Sequence, residues 1–218
     1  MKTLGLIGGT SWHSTMAYYK MINEGVGAVI GTQGNPELII YSINIEIMRE
    51  QDRDKINAKY LEVSRKLMSA GAEAIVQPKI EVPILHIADA TGLEAQRLGL
   101  KRLALLGNRP TMTGSFIPEV LKEKYGIETL IPESHCIAQA HTYVSEELTR
   151  GKFTDKARQF FKSQIELLKA RGADGVILGC TELPLLLDAG DADIPSLPTT
   201  DLHAQMAIDF ILDAPKAN

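Results

Sequence analysis

Lys2-Thr3-Leu4-Gly5-Leu6-Ile7-Gly8-Gly9-Thr10-Ser11 opens the chain as a short apolar run that stops at a glycine pair, followed by two hydroxyl residues placed to cap a helix. Met16, Tyr19, Ile22 and Asn23 follow at helical spacing, so the stretch reads as strand, tight loop, helix. Working outward, the same pattern returns at Lys101-Arg102-Leu103-Ala104-Leu105-Leu106-Gly107, an offset of 99 residues. Gly71-Ala72-Glu73-Ala74-Ile75-Val76 returns as Gly172-Ala173-Asp174-Gly175-Val176-Ile177, an offset of 101. Either match alone is common in α/β proteins. Together, in the same order and at nearly the same offset, they predict two similar halves.

The runs at 38–43, 72–76, 83–87, 103–106, 127–131 and 176–178 are short and nearly continuously apolar. Strands of that kind are buried on both faces, as in a parallel sheet covered by helices. Helical spacing is read over 56–70, ended by Gly71, and over 115–125, 135–150, 154–171 and 201–213. The fold class expected is α/β, with two pseudo-symmetric parallel-sheet domains, residues 1–97 plus 205–218 and residues 98–204. In open α/β sheets ligands bind at the carboxyl ends of strands, which places the expected site in the cleft between the halves.

Composition narrows the function classes. Of 218 residues, 23 are basic and 27 acidic, for a formal charge of −4 without a block of one sign, so no nucleic acid or anionic membrane partner is expected. No apolar run approaches the roughly 20 residues of a membrane helix, and the opening residues lack signal-peptide anatomy, which predicts a cytoplasmic protein. Two cysteines, Cys136 and Cys180, are too few for a disulfide framework or zinc cluster. No histidine has metal-ligand spacing with a second His, Asp or Glu on one helix, so no metal is expected. Gly5-x-x-Gly8-Gly9 is not a dinucleotide fingerprint, and neither GxxxxGK[ST] nor GxSxG occurs.

Gly179-Cys180-Thr181-Glu182 directly follows the buried run 176–178. A thiol at a strand end beside the N–H groups of a helix start is expected to have a lowered pKa and to act as a base or nucleophile. Cys136, with no strand directly before it, is read as a small apolar filler, and His86 as a satisfied histidine beside a cap. Gly8-Gly9-Thr10-Ser11 and Gly107-Asn108-Arg109-Pro110-Thr111 each offer hydroxyls and N–H groups at a helix start, which suits a carboxylate or phosphate.

Taken together, Gly5-Leu6-Ile7-Gly8-Gly9-Thr10-Ser11-Trp12-His13-Ser14-Thr15 with Tyr18-Tyr19 and Ile22-Asn23, His86-Ile87-Ala88-Asp89-Ala90-Thr91, and Gly179-Cys180-Thr181-Glu182 resemble the aspartate/glutamate racemase family. The resemblance covers nearly the whole chain and is nearest to the broad-specificity amino-acid racemases. It implies a homodimer that works without pyridoxal phosphate or another cofactor, with one cysteine from each domain on opposite faces of an acidic amino acid. It further implies Cys180 as one of the two thiols, Thr181 as a carboxylate ligand, and Thr10, Ser11, Thr111 and Gln51 as further substrate contacts. Thr10 stands where relatives often carry Met, His13 where they carry Glu, and Pro198 where they carry Asp before a Thr-Thr pair.

The largest departure is at Val76. Relatives continue the corresponding strand into a segment bearing the first thiol, then a helix, then the next strand; here Val76 leads directly into Gln77-Pro78-Lys79-Ile80-Glu81-Val82. Consecutive parallel strands need a crossover of about a dozen residues or more. Two readings stay open: a chain continuous at 76–77 and lacking the first thiol, or a loop of about a dozen residues missing from the numbered sequence. The first leaves a one-thiol decarboxylase, a dicarboxylate isomerase or a non-catalytic amino-acid-binding protein. The second leaves a two-base racemase.

Overall fold

The computed structural model describes every residue except 32, 45, 50, 51, 77–83, 189 and 215–218. In chain order the strands are β1 (Leu4–Gly8), β2 (Leu38–Ser42), β3 (Ala74–Val76), β4 (Ile84–Leu85), β5 (Arg102–Leu106), β6 (Glu128–Leu130), β7 (Gly175–Leu178) and β8 (Ser196–Pro198). The helices are α1 (Trp12–Ile30), α2 (Glu46–Arg49), α3 (Arg53–Ser69), α4 (Ile87–Arg97), α5 (Arg109–Thr113), α6 (Pro118–Tyr125), α7 (Ser134–Thr142), α8 (Asp155–Ala170), α9 (Leu183–Leu186) and α10 (Thr199–Ile211). The α/β reading holds, with two four-stranded sheets in which all pairings are parallel.

The chain divides into two compact units, residues 1–86 with 203–218 and residues 87–202, and the second boundary falls inside α10. Unit 1 has strand order β2-β1-β3-β4 and unit 2 has β6-β5-β7-β8. The order is the same, and the two repeated sequence pairs fall on equivalent strands: β1 with β5, and β3 with β7. β3 and β4 are parallel neighbours in register Ile75↔Ile84, which is the arrangement the crossover rule addresses. The Val76–Gln77 junction itself lies outside the described residues.

The central strands are buried along their length, as their apolar runs require: Leu4, Leu103, Ala104, Leu105 and Leu106 are all fully enclosed. In unit 2, α8 covers one face of the sheet because Ala157, Phe161, Gln164, Ile165 and Leu168 recur on one side of the helix. Thr154 caps it, its hydroxyl accepting from the Ala157 N–H at 3.2 Å. Burying Phe161 contributes about 2–3 kcal/mol. The stretch read as one helix over 135–150 is α7 followed by a π-helical turn, Tyr143–Glu147, and a 3-10 turn, Leu148–Arg150. This winding places Tyr143, Val144 and Leu148 in the core.

In unit 1, His203 is buried and accounts for both ring nitrogens. Nε2 lies 2.7 Å from the Leu85 carbonyl oxygen and Nδ1 lies 2.9 Å from the Tyr18 hydroxyl. A carbonyl only accepts, so Nε2 carries the proton and the Tyr18 O–H donates to Nδ1. Burial lowers the pKa of His203 to about 4, with nearby His86 acting in the same direction and the Leu85 bond opposing it. The folded-state pKa is below the unfolded value of 6.5. The stabilisation is therefore present in full above pH 6.5 and is lost as pH falls from 6.5 toward 4, by about 3 kcal/mol in total. Melting temperature measured from pH 7.5 to pH 4 should fall in that window, and His203→Gln should flatten the decline relative to the parent protein. Parallel curves for the two proteins would refute this assignment.

Candidate active site

In unit 1, β1 ends at Gly8, and Gly9 follows with φ +95°, where a Cβ would lie 2.1 Å from the Ile43 carbonyl oxygen. Only glycine fits there. The Gly9 N–H donates to Thr15 Oγ1 at 3.1 Å, and Ser11 caps α1, its hydroxyl accepting from the Ser14 N–H at 3.3 Å. Thr10 and Ser11 are thereby fixed, partly exposed, at the start of a 19-residue helix. Gln51 lies outside the described residues.

In unit 2, β5 runs into Gly107 and Asn108, and Asn108 Oδ1 accepts from both the Thr111 N–H at 3.0 Å and the Thr111 hydroxyl at 2.9 Å. This cap turns the Thr111 methyl over the adjoining strand ends. A Cβ on Gly179 would meet Thr111 Cγ2 at 2.7 Å and the Leu106 carbonyl oxygen at 2.8 Å. The Gly179 N–H donates to Leu106 O at 2.7 Å, so the ends of β5 and β7 are in close contact and Cys180 follows immediately. Thr111, Cys180 and Thr181 thus belong to unit 2, whereas Thr10 and Ser11 belong to unit 1.

Cys180 is partly buried against the core cluster that includes Leu178, Leu183 and Leu187. Its thiol is pushed up to about 12, first by burial and then by the Glu182 carboxylate. The N–H groups of Leu183 and Glu182 pull the other way and are outweighed. The expectation of a lowered thiol pKa is therefore reversed. The helix that starts here, α9, has four residues and few aligned peptide dipoles, while the apolar packing and a like charge both oppose a thiolate. Burial and the Glu182 charge together favour the Cys180 thiol over its thiolate.

Cys136, at the start of α7, lies 3.2 Å from His135 Nε2. Sequence reasoning missed Asn108 and Glu182 as contributors. Asn108 had a usable signal, since Asn followed by Pro110 marks a capped helix start. Glu182 acts only through its position beside the thiol. A cavity of about 250 Å³ in unit 2 is bounded by Ile165, Leu178, Pro184, Leu187, Asp191 and Pro198 among others, and neither Cys180 nor Thr111 lines it. Among the described residues no group of three His, Cys, Asp or Glu could hold a metal, and no helix is long and apolar enough to cross a membrane.

Comparison with known proteins gives a consistent result. The sequence profile of the Asp/Glu/hydantoin racemases matches residues 7–207. An Asp/Glu racemase candidate from Yersinia pestis, solved by crystallography, is 38% identical, with TM-score 0.89 over 97% of this chain and 100% of that one. An aspartate racemase homologue from Pyrococcus horikoshii is 31% identical, with TM-score 0.84 over the same shares. The broad specificity amino-acid racemase RacX of Bacillus subtilis is 21% identical over 227 residues, 96% of this chain and 98% of that protein.

If burial and Glu182 hold the thiol protonated, alkylation of Cys180 by iodoacetamide should accelerate about tenfold per pH unit through pH 8–10 without a plateau, because only the thiolate reacts. Glu182→Gln removes the opposing charge, and should raise the rate at pH 9. A plateau near pH 8 in the parent protein, read by mass spectrometry of the Cys180 peptide, would contradict the raised pKa.

Proposed function

The chain belongs to the Asp/Glu/hydantoin racemase family, and from that premise we propose that it inverts the α-carbon of an acidic amino acid, as a cytoplasmic homodimer, without pyridoxal phosphate and with Cys180 as one acid/base. One observation carries the reading: the family match spans both units, and the thiol of unit 2 stands at the carboxyl end of β7, where open parallel sheets present their ligands.

Inversion needs a base to remove the α-proton on one face and an acid to deliver a proton to the other. A thiol protonated at rest supplies the delivering group. Thr181 beside it, and Thr10 and Ser11 at the start of α1, are the hydroxyls assigned to the substrate carboxylates. The Glu182 carboxylate suits the substrate ammonium. Burial is the larger effect that keeps the thiol protonated; pairing with that cation offsets the lesser one, the Glu182 charge, and so eases formation of the thiolate needed in the reverse direction.

Both cysteines, Cys136 and Cys180, fall in unit 2, and residues 1–86 contain none to act as the partner base. We place the second thiol in a segment of about a dozen residues between Val76 and Gln77. One observation supports this: β3 and β4 pair in parallel with only residues 77–83 between them. The absence of a cysteine in residues 1–86 favours the alternative of a continuous chain, a one-thiol decarboxylation of a malonate or isomerisation of a dicarboxylate.

Incubation of each enantiomer of aspartate and glutamate in deuterated water should wash deuterium into the α-position, with loss of at least about a hundredfold in Cys180→Ser. Exchange that survives unchanged in Cys180→Ser overturns the assignment. Loss of carboxylate from an arylmalonate, without α-exchange on amino acids, selects the one-thiol reading. Ligand binding with neither reaction selects a binding protein. Intact mass of the native protein should exceed 23.9 kDa by about a dozen residues, and a match to 23.9 kDa removes the missing segment.

A further inference from the structure

The peptide group joining Leu178 to Gly179 is held at both ends. Its N–H donates to the Leu106 carbonyl at 2.7 Å, and its carbonyl oxygen accepts the hydroxyl of Thr199 at 3.1 Å. Thr199 is 1% exposed and stands one residue past the last β8 rung, in which Pro198 is paired with Leu178. The next residue after this doubly held peptide is Cys180.

We propose that Thr199 is a positioning residue for Cys180: its buried hydroxyl fixes the Leu178–Gly179 peptide plane, the one before the Gly179–Cys180 peptide, and so sets the direction in which the chain enters the thiol-bearing residue. The proposal rests on the reading of Cys180 as the acid/base. Gly179 explains why a restraint is required. It must be glycine, because a Cβ would collide with Thr111 and with the Leu106 carbonyl, and a glycine adds no side-chain restraint of its own, so the plane on its N-terminal side is held by other groups. The Leu106 bond restrains one edge of the peptide and leaves rotation about that contact. The Thr199 hydroxyl removes it. Packing alone does not require an oxygen at this position, since valine has nearly the same shape; the hydroxyl is needed only for a donor aimed at that carbonyl. Misplacement of a reacting group by about 1 Å costs on the order of a hundredfold in rate.

The test compares Thr199→Val and Thr199→Ser. Thr199→Val should lower kcat for α-deuterium exchange about ten- to hundredfold, with KM within about threefold. It should also change the rate of Cys180 alkylation by iodoacetamide several-fold. Thr199→Ser keeps the donor and should stay near the parent protein in both. The alkylation rate needs no substrate. If the parent protein exchanges no amino acid while Thr199→Val still changes Cys180 alkylation and Thr199→Ser restores it, the racemase reading fails and the positioning role stands. Equal behaviour of Val and Ser variants, or a Val variant that melts lower but keeps the parent kcat and alkylation rate, overturns the proposal. Thr199→Ala replaces the Val variant if the latter does not fold, and failure of both to fold assigns Thr199 a purely structural role, which also overturns it.

Discussion

Each unit is organised by a central strand, β1 or β5, that is paired along both edges and then stops at a glycine. Pairing on both edges satisfies the backbone, so the strand can be wholly apolar and buried on both faces. The terminal glycine gives the next element room to fold back over the strand end. At Gly8 a Cβ would collide with the Thr15 side chain, and at Gly107 it would press on Thr111. In both units a threonine from the following helix therefore lies against the strand end, and the loops beyond it carry the candidate residues. Remove the close approach and Asn108, Thr111 and Gly179 no longer meet at the strand ends that Cys180 follows.

The chemistry of Cys180 is a competition between local fields. Two N–H groups favour its thiolate, while burial and Glu182 oppose it, and the opposing pair wins. For the acid/base role proposed for Cys180 this is a usable resting state, because a permanently ionised thiol in an apolar setting would be costly to desolvate. A protonated thiol beside a carboxylate is instead responsive to charge. A cation paired with Glu182 would remove the lesser of the two effects that oppose the thiolate, burial remaining.

Much of the fold was legible because it is written in local patterns. The paired runs at 2–8 and 101–107 identify β1 and β5, and the pair at 71–76 and 172–177 identifies β3 and β7, which is enough to infer two sheets of like topology. β8 was not legible: three residues, Ser196–Pro198, one of them proline, form a strand only because β7 is there to pair with. The π-helical turn at Tyr143–Glu147 was also hidden, since its reason is the fit of Tyr143 and Val144 into the core and not the spacing of the segment itself. Of the site, the Gly-Cys-Thr-Glu motif could be read from the sequence, whereas the sign of the thiol shift could not, because it depends on what packs around the sulfur.

The same distinction explains why Thr199 leaves no trace in sequence. Its partner, the Leu178 carbonyl, is 21 residues away and belongs to the backbone, so no side-chain pattern encodes the contact. Unit 1 shows a related device at the end of β4, where the carbonyl of Leu85 is taken by the buried ring of His203. In both cases a ladder of backbone hydrogen bonds runs out where short strands end, and a buried side chain supplies the donor that the sheet cannot. Sheets with two- and three-residue edge strands reach that limit early, close to the loops that carry function. The shortness of β4 and β8 therefore does more than trim the fold: it hands the orientation of strand-end peptides to individual side chains, which single substitutions can tune without changing the topology.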